Sequence, residues 1–568
     1  MFDHTKYRAF QPVGLTDRQW PDHVITTTPD WCSVDLRDGN QALINPMSID
    51  KKVRMFQLLV RLGFKEIEIG FPAASQTEYD FLRRLVDEQL IPDDVTVQIL
   101  TQARKELIER SFAALKGVKK AIVHVYNSTS TVQREQVFGM NRAGIRDIAV
   151  QGARWLQEEA RQYPDTDWTF QYSPESFTGT ELDFAVEVCN AVLDVWQPQN
   201  GQKAIINLPS TVEMSTPNIF ADQVEWFCRH LEQRQHVRIS LHTHNDRGCA
   251  VAAAELGLMA GADRVEGTLM GNGERTGNTD IVTMGMNLYS QGIDPGLDFS
   301  NIREIIAIVE ECTELEVHPR HPWAGELVYT AFSGSHQDAI RKSVRYHSEH
   351  QLPHWEVAYL PIDPRDLGRQ YEAVVRINSQ SGKGGVALIL ERDYGINLPK
   401  WMHGHLSQVV QKVSETTGRE VPSLRIKSLY EQHFHYVPSD WTLVHYDLHA
   451  HGREVQADFV IGDDSHKLHG QGHGVVEALC DALGRHTGVR PEVTQFDESS
   501  MSVGTNAEAL ACVELQVDDQ IIAAVATSGD ISTAALQAVL TAFSRSHHAI
   551  ARNQSAEQPA HATRQAAS

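Results

Sequence analysis

The stretch SLHTHNDRG, Ser240–Gly248, carries two histidines one residue apart. On a strand, alternate side chains share a face, so His242 and His244 point one way and Leu241 and Thr243 the other. Two imidazoles on one face can ligate one cation. A carboxylate from a neighbouring strand end, Asp38 of DLRDGNQ, is the natural third donor. Two nitrogens with hard oxygens, and positions left for water and substrate, suit a catalytic divalent ion. The same pair also reads as two hydrogen-bonded polar residues on a strand, and spacing alone does not separate the two. A second group, His433, His435, His445, His449 and His451, has no acidic partner at a strand end and reads as surface and strand histidines.

Positioning such a site requires a scaffold of strand ends. Between Trp31 and about residue 292, eight short β-rich runs alternate with helical patterns: WCSVDL, EIEIGF, VTVQIL, AIVHVY, WTFQYS, AIINLP, VRISLHTH and DRVEGT. In the intervening SIDKKVRMFQLLVRLGF, Val53, Phe56, Val60 and Gly63 follow one helix face, with Ser48 as cap. In GCAVAAAELGLMAG, Ala250, Val251, Ala254 and Leu258 do the same. Parallel strands need crossover helices, so the fold class is α/β. Eight units predict a TIM (β/α)8 barrel, with an open doubly wound sheet as the other arrangement. Barrel chemistry belongs at the C-terminal strand ends. There the sequence offers Arg37 and Asp38, His124, Ser173 and Glu175, Thr211 and Glu213, the histidine pair, and GNGERTGN. The expectation is a polar rim above apolar strand interiors.

Downstream, a mixed region is followed by what reads as two similar strand–strand–helix halves, a separate C-terminal α+β domain. Gly470, Gly472 and Gly474 precede one helix, and Gly529, Asp530 and Ser532 the other. Helix N-termini present free N–H groups and suit a carboxylate, with an acidic side chain for an ammonium. SGKGG lacks the leading glycine and the hydroxyl residue of a P-loop.

Composition excludes several classes. The 568 residues are 41% hydrophobic, enough for a large core. The net charge of −23, from 51 basic and 74 acidic residues, opposes non-specific nucleic-acid binding. Seven cysteines without a CxxC favour reduced thiols and a cytoplasmic setting. MFDHTKYRAF has no apolar signal region, and no run is long enough to span a membrane.

Taken together, DLRDGNQAL, SPESFTGTE, NLPSTVEMSTPN, SLHTHNDRG, GNGERTGN, SGSHQDAI, YLPIDPRDLGR and NSQSGKGGVA closely resemble the long-form 2-isopropylmalate synthase family. That family belongs to the acyl-CoA Claisen-condensing metallo-TIM-barrel superfamily. The resemblance implies condensation of acetyl-CoA with 3-methyl-2-oxobutanoate, the first committed step of leucine biosynthesis. It implies Mg2+ or Mn2+ on residues matching Asp38, His242, His244 and Asn278, with K+ as an activator. Arg37, His124, Ser173 and Thr211 match substrate-binding residues. Arg37, Glu175, His336 and Tyr359 match catalytic ones, the last two reaching the partner's active site in a homodimer. The glycines, Asp530 and Ser532 fall in what resembles the leucine-binding regulatory region. The implied layout is an N-terminal extension 1–30, barrel 31–304, linker subdomains 305–435, regulatory domain 436–548 and a disordered tail 549–568. Deletion from about 435 is then expected to leave basal activity and abolish the leucine response. Homocitrate or citramalate synthases share the metal set. A metal-dependent aldolase or acyl-CoA lyase, or a catalytically inert metabolite binder, are the competing classes.

Overall fold

The computed structural model describes residues 3–556 except 200–203, 332, 370–382, 418–420, 437–440, 452–453, 462–465 and 501–507. It divides into two compact units, Met1–Tyr329 with Ile362–Tyr371, and Thr330–Pro361 with Glu372–Ser568.

The first unit is a closed eight-stranded parallel barrel. Its strands are β1 (Asp30–Ser33), β2 (Glu66–Gly70), β3 (Thr96–Gln102), β4 (Lys120–Ser128), β5 (Asp167–Glu175), β6 (Ala204–Ser210), β7 (Val237–Thr243) and β8 (Arg264–Gly267). β1 closes on β8 in the register Asp30↔Arg264 to Ser33↔Gly267. The helices are α1 (Ile49–Leu62), α2 (Gln76–Asp87), α3 (Lys105–Leu115), α4 (Arg142–Ala160), α5 (Leu182–Trp196), α6 (Pro217–His230), α7 (Ala250–Met259), α8 (Ile281–Tyr289) and α9 (Ile302–Thr313). Ser48 caps α1 by accepting from the Lys51 amide, and Gly63 ends it in the left-handed region.

The apolar core lies between the strands and the helices. Ile67, Val97, Val123, Leu241 and Val265 are fully buried there, with Phe56, Phe81, Phe112 and Phe227 from the helices. The inward residues of the barrel strands are mostly polar, Glu66 and Glu68, Gln98, His124, Gln171, Ser240 and His242, Arg264 and Glu266, with Leu100 and Ile122 among them as apolar exceptions. All are buried except the part-exposed Glu66. The expectation of apolar strand interiors is therefore overturned. Runs such as EIEIG and RVEG alternate, and their apolar members belong to the helix-facing register. On α7 the buried face is Ala250, Ala253, Ala254 and Gly257, while Val251 and Leu258 are only partly covered. A side chain at Gly257 would collide with Leu241, so small residues let α7 lie close on β7.

β1 is shorter than expected. It stops at Ser33, and Asp35–Gly39 forms a wide helical turn that carries Arg37 and Asp38. The turn is stapled to β8 by Asp35, whose buried carboxylate accepts the Leu269 amide (3.1 Å) and the Ser33 hydroxyl (2.8 Å).

The second unit opens with α10 (Gly334–His350), α11 (Lys383–Tyr394), α12 (Met402–Thr417) and α13 (Ser423–His433). Of SGKGG, Ser381 and Gly382 lie outside the described residues, and Lys383, Gly384 and Gly385 begin α11. Two three-stranded antiparallel sheets follow, each backed by a helix. They are β9 (Leu443–His451), β10 (Glu454–Ile461) and β11 (His466–Gly472) with α14 (Val475–Thr487), then β12 (Glu492–Ser500), β13 (Ala509–Val517) and β14 (Gln520–Ser528) with α15 (Ile531–Ala556). Each half thus has three strands rather than two. The extra ones, KLHGQG and EVTQFDESS, are glycine-rich or almost wholly exposed and lack an apolar stripe. α15 runs into the stretch expected to be a tail, whose last residues, 557–568, lie outside those described.

β13 is covered on both faces, which accounts for the near-continuous apolar run ALACVELQV. Ala511, Val513 and Leu515 pack with α14 and α15. Leu510 and Cys512 pack with Ala523, Val525 and the inner faces of α11, α12 and α13. The C-terminal sheets and the preceding helices therefore share a core. Deletion from 435 would expose Val410, Ile426, Leu429 and Tyr430 of the preceding helices.

Candidate active site and metal centre

At the C-terminal end of the barrel, Asp38, His242 and His244 are buried together, with one ligand atom from each within 4.8 Å of the others. Asp38 Oδ2 is 3.5 Å from His242 Nε2 and 3.7 Å from His244 Nε2. Its Oδ1 accepts from Arg37 Nη1 at 2.7 Å. β7 ends at Thr243, and His244 continues it as a single bridge to Asn278. The loop after β8 is stitched in place by Asn278 N–H to Gly271 O (3.0 Å) and Asn245 N–H to Gly277 O (3.0 Å). Asn278 Nδ2 donates to Asn272 O at 3.1 Å, which fixes the amide so that Oδ1 is the free acceptor.

Whether these residues suit a divalent ion can be judged from their unmet hydrogen bonds. Asp38 Oδ2, Asn278 Oδ1 and His244 Nδ1 are buried without a hydrogen-bond partner. Buried polar atoms are almost always paired, so the open Asp38 Oδ2 and Asn278 Oδ1 are acceptors with capacity left for a cation. One carboxylate oxygen, one amide oxygen and two imidazoles fit a divalent ion. The electrostatics agree. Burial alone would raise the Asp38 carboxyl, but Arg37 and His242 outweigh it and hold it anionic, well below the usual range. Burial opposes protonation of His242, yet Asp38 and Glu266 raise it to about 9. Burial and the neighbouring His242 lower His244 to about 4. Positive charge at this point is thus favoured.

The adjoining cavity is lined by Arg37, Leu100, His124, Tyr126, Ser173, Glu175, Asn207, Thr211 and the histidine pair, with Glu274 and Arg275 at its edge. Arg37 donates to Glu68 at 2.5 Å and to Asp38, and its Nη2 has no partner among the described residues. A carboxylate only accepts, so His124 donates through Nδ1 to Glu68 (3.0 Å). Its Nε2 then accepts from the Ser173 hydroxyl (2.7 Å), and Asn207 Nδ2 donates to that same oxygen (3.0 Å). Asn207 Oδ1 is buried and has no hydrogen-bond partner among the described residues. Glu175 is held by the Ser128 hydroxyl and by Gln133 Nε2 (3.1 Å). Thr211 Oγ1 accepts the Ser176 amide (2.9 Å).

Over residues 28–309 the chain matches the HMGL-like family, over 326–391 the alpha-isopropylmalate synthase post-catalytic domain-like family, and over 420–547 the LeuA allosteric (dimerisation) domain. It is 57% identical over 547 residues to the 2-isopropylmalate synthase of Alcanivorax borkumensis, covering 96% of this chain and 98% of that one. It is 55% identical over 544 residues to that of Rhodospirillum rubrum, covering 94% and 98%, and 50% over 553 residues to that of Clostridium acetobutylicum, covering 96% and 99%. The chain belongs to the 2-isopropylmalate synthase family.

For a member of the 2-isopropylmalate synthase family, the sequence reading overlooked the supports beneath the rim. Glu68, Gln98, Gln171, Arg264 and Glu266 hold its functional side chains from within the barrel. Their signal was the two-residue alternation of charge with β-branched residues in β2 and β8. His336 and Tyr359 belong to the second unit, where their rings pair at 4.2 Å between centroids. Both are exposed, and Tyr359 has φ of +63°. Gly470 and Gly472 precede α14. They lie in β11, where a Cβ would collide with Ala478 of α14, so their smallness serves helix packing. Gly474 is the N-cap position of α14. Asp530 precedes α15 and already accepts from the Thr533 amide (2.7 Å) and the Tyr446 hydroxyl (3.2 Å), with Ser532 part-exposed beside it. Of the C-terminal histidines, His445 and His449 are exposed on strand β9, as expected of surface and strand residues, but they do have acidic neighbours. His445 pairs with Asp447 (3.2 Å), and His449 lies 3.6 Å from Asp458 on the open sheet face.

Proposed function

We infer that this chain condenses acetyl-CoA with 3-methyl-2-oxobutanoate and that water then hydrolyses the thioester, giving 2-isopropylmalate and CoA, the first committed step of leucine biosynthesis. The likeness to named synthases at 50–57% identity over 94–96% of the chain carries this reading and favours it over homocitrate or citramalate synthesis. The buried donor cluster supports it chemically. Asp38, His242, His244 and Asn278 would hold Mg2+ or Mn2+, which when bound supplies Lewis-acid polarisation of the keto carbonyl.

The remaining work falls to side chains. Arg37, fixed by Glu68 and Asp38, offers its Nη2 donors to the carboxylate of the 2-oxo acid. The Asn207–Ser173–His124 chain and Thr211 shape the pocket floor. Removing a methyl proton from a thioester is difficult, so the base must be positioned closely. We assign that step to His336 with Glu175 orienting it, and protonation of the new alkoxide to Tyr359. The enzyme is cytoplasmic and homodimeric, K+ activates it, and leucine inhibits it through the region of Gly470, Gly472, Gly474, Asp530 and Ser532. These assignments rest on the family resemblance.

Expression in a leucine auxotroph lacking this step tests the reading. Growth without leucine is expected. Failure to grow, with the protein present and folded, would overturn it. If His336→Ala retained near-normal turnover, the base assignment would fall while the overall reaction stood.

A further inference from the structure

The two histidines of the donor cluster are not supported alike. His244 Nδ1 has no partner among the described residues. His242 Nδ1 meets Glu266 Oε2 at 2.9 Å, and both groups are fully or almost fully buried. Because a carboxylate can only accept, Nδ1 must carry the hydrogen. That leaves the Nε2 lone pair turned toward Asp38 and the ion position.

Glu266 cannot swing away. Its other oxygen, Oε1, accepts from Arg264 Nη1 (2.7 Å), Gln171 Nε2 (2.7 Å) and Gln98 Nε2 (3.2 Å). Arg264 has no exposed side-chain surface and is itself held by Glu66 Oε2 (2.6 Å), Ser240 Oγ (2.8 Å) and Gln98 Oε1 (2.8 Å). A continuous column of charge-assisted bonds therefore runs inside the barrel and reaches His242 directly through Glu266, whereas Asp38 is reached through Gln98, Glu68 and Arg37. Glu66 is shared between Arg264 (2.6 Å) and Arg238 (2.7 Å), so Glu266 is the second anion that Arg264 meets.

We propose that Glu266 is a positioning residue for the metal centre: it fixes His242 in the Nδ1–H tautomer and orientation that present Nε2 to the divalent ion, with Arg264 as its anchor. The proposal rests on the metal-site reading above. Glu266→Gln is the discriminating change. It keeps the volume and an oxygen for Arg264, but places an amide N–H against His242 Nδ1. The imidazole then holds its hydrogen on Nε2, aimed at the ion.

The test is Mn2+ binding to the purified full-length protein, followed by electron paramagnetic resonance of the free ion. Thermal unfolding is recorded in parallel. E266Q is expected to weaken Mn2+ binding about 10–100-fold, the usual effect of losing such a partner. Excess Mn2+ should restore kcat, with the KM for the 2-oxo acid near that of the wild type. Ser240→Ala removes one Arg264 contact without touching His242, and should lower the melting temperature while leaving Mn2+ affinity within about twofold. Should E266Q not fold, Glu266→Asp keeps the anion for Arg264 but falls short of His242, and should weaken Mn2+ binding as well. Equal Mn2+ affinity in wild type and in a folded Glu266 variant would overturn the proposal. So would an equal loss in S240A. No Mn2+ binding by the wild type would instead overturn the metal-site reading.

Discussion

Gly277→Ala tests whether the loop after β8 positions the metal centre. Gly277 has φ of +104°, where an L side chain is strained by roughly 1–2 kcal/mol. The larger effect is steric. A Cβ there would fall inside the van der Waals surface of the Gly271 carbonyl oxygen, the acceptor of the Asn278 amide. Clearing it requires a shift of about 1 Å in the segment that carries Asn278 Oδ1, and a misplacement of that size costs on the order of 10²-fold in rate. That corresponds to about 2.7 kcal/mol in the barrier. The assay is CoA release under saturating substrates across a Mn2+ titration, with thermal unfolding alongside. Gly292→Ala is the control, because it imposes a similar backbone penalty at φ of +77° with nothing within 4 Å to strike. The expected result is a large loss of Mn2+ affinity and turnover in the first variant and only a lowered melting temperature in the second. Wild-type metal affinity and turnover in Gly277→Ala would refute the reasoning.

Asp38→Asn keeps the ligand's size but removes its charge, and should weaken Mn2+ binding by more than the about 10–100-fold typical of losing an outer partner. Isothermal titration measures this, and an unchanged affinity would remove Asp38 from the ligand set. Burial pushes the Asp35 carboxyl up to about 7 despite its bonds to Ser33 and Leu269. Its folded pKa exceeds the unfolded 3.8, so its contribution stabilises the fold at low pH and is lost as pH rises through about 7. In Asp35→Asn the difference in unfolding midpoint between about pH 5 and pH 8 should shrink, and an unaltered difference contradicts the assignment. Asp530→Ala should lose leucine inhibition while uninhibited turnover persists, with about 1 kcal/mol lost from the cap of α15. Inhibition like the wild type's would exclude Asp530 from the leucine site.

The barrel was legible because each strand is a short β-branched run between helical stretches, and all eight runs became strands. The histidine pair was legible for a related reason: a period of two forces His242 and His244 onto one face. The lumen was not. Reading GVKKAIVHVY or EIEIG for apolar content identifies a strand but not which of its two faces turns inward, and closure of the barrel decides that. Arg264 and Glu266 consequently passed as ordinary strand residues. Asn278 could be placed only through resemblance, since its position depends on hydrogen bonds between a loop and the end of β7. In the second unit, β12 has almost no buried residue to reveal it, and β11 spends its glycines on contact with α14. The pairing of α11–α13 with β13 and β14 is a long-range choice that no local pattern announces.

The central claim is tested most directly by CoA release from acetyl-CoA with a panel of 2-oxo acids, run with and without Mg2+ or Mn2+ and with and without leucine. The fastest turnover is expected on 3-methyl-2-oxobutanoate, dependent on the divalent ion and suppressed by leucine. Fastest turnover on 2-oxoglutarate or pyruvate would contradict the assignment.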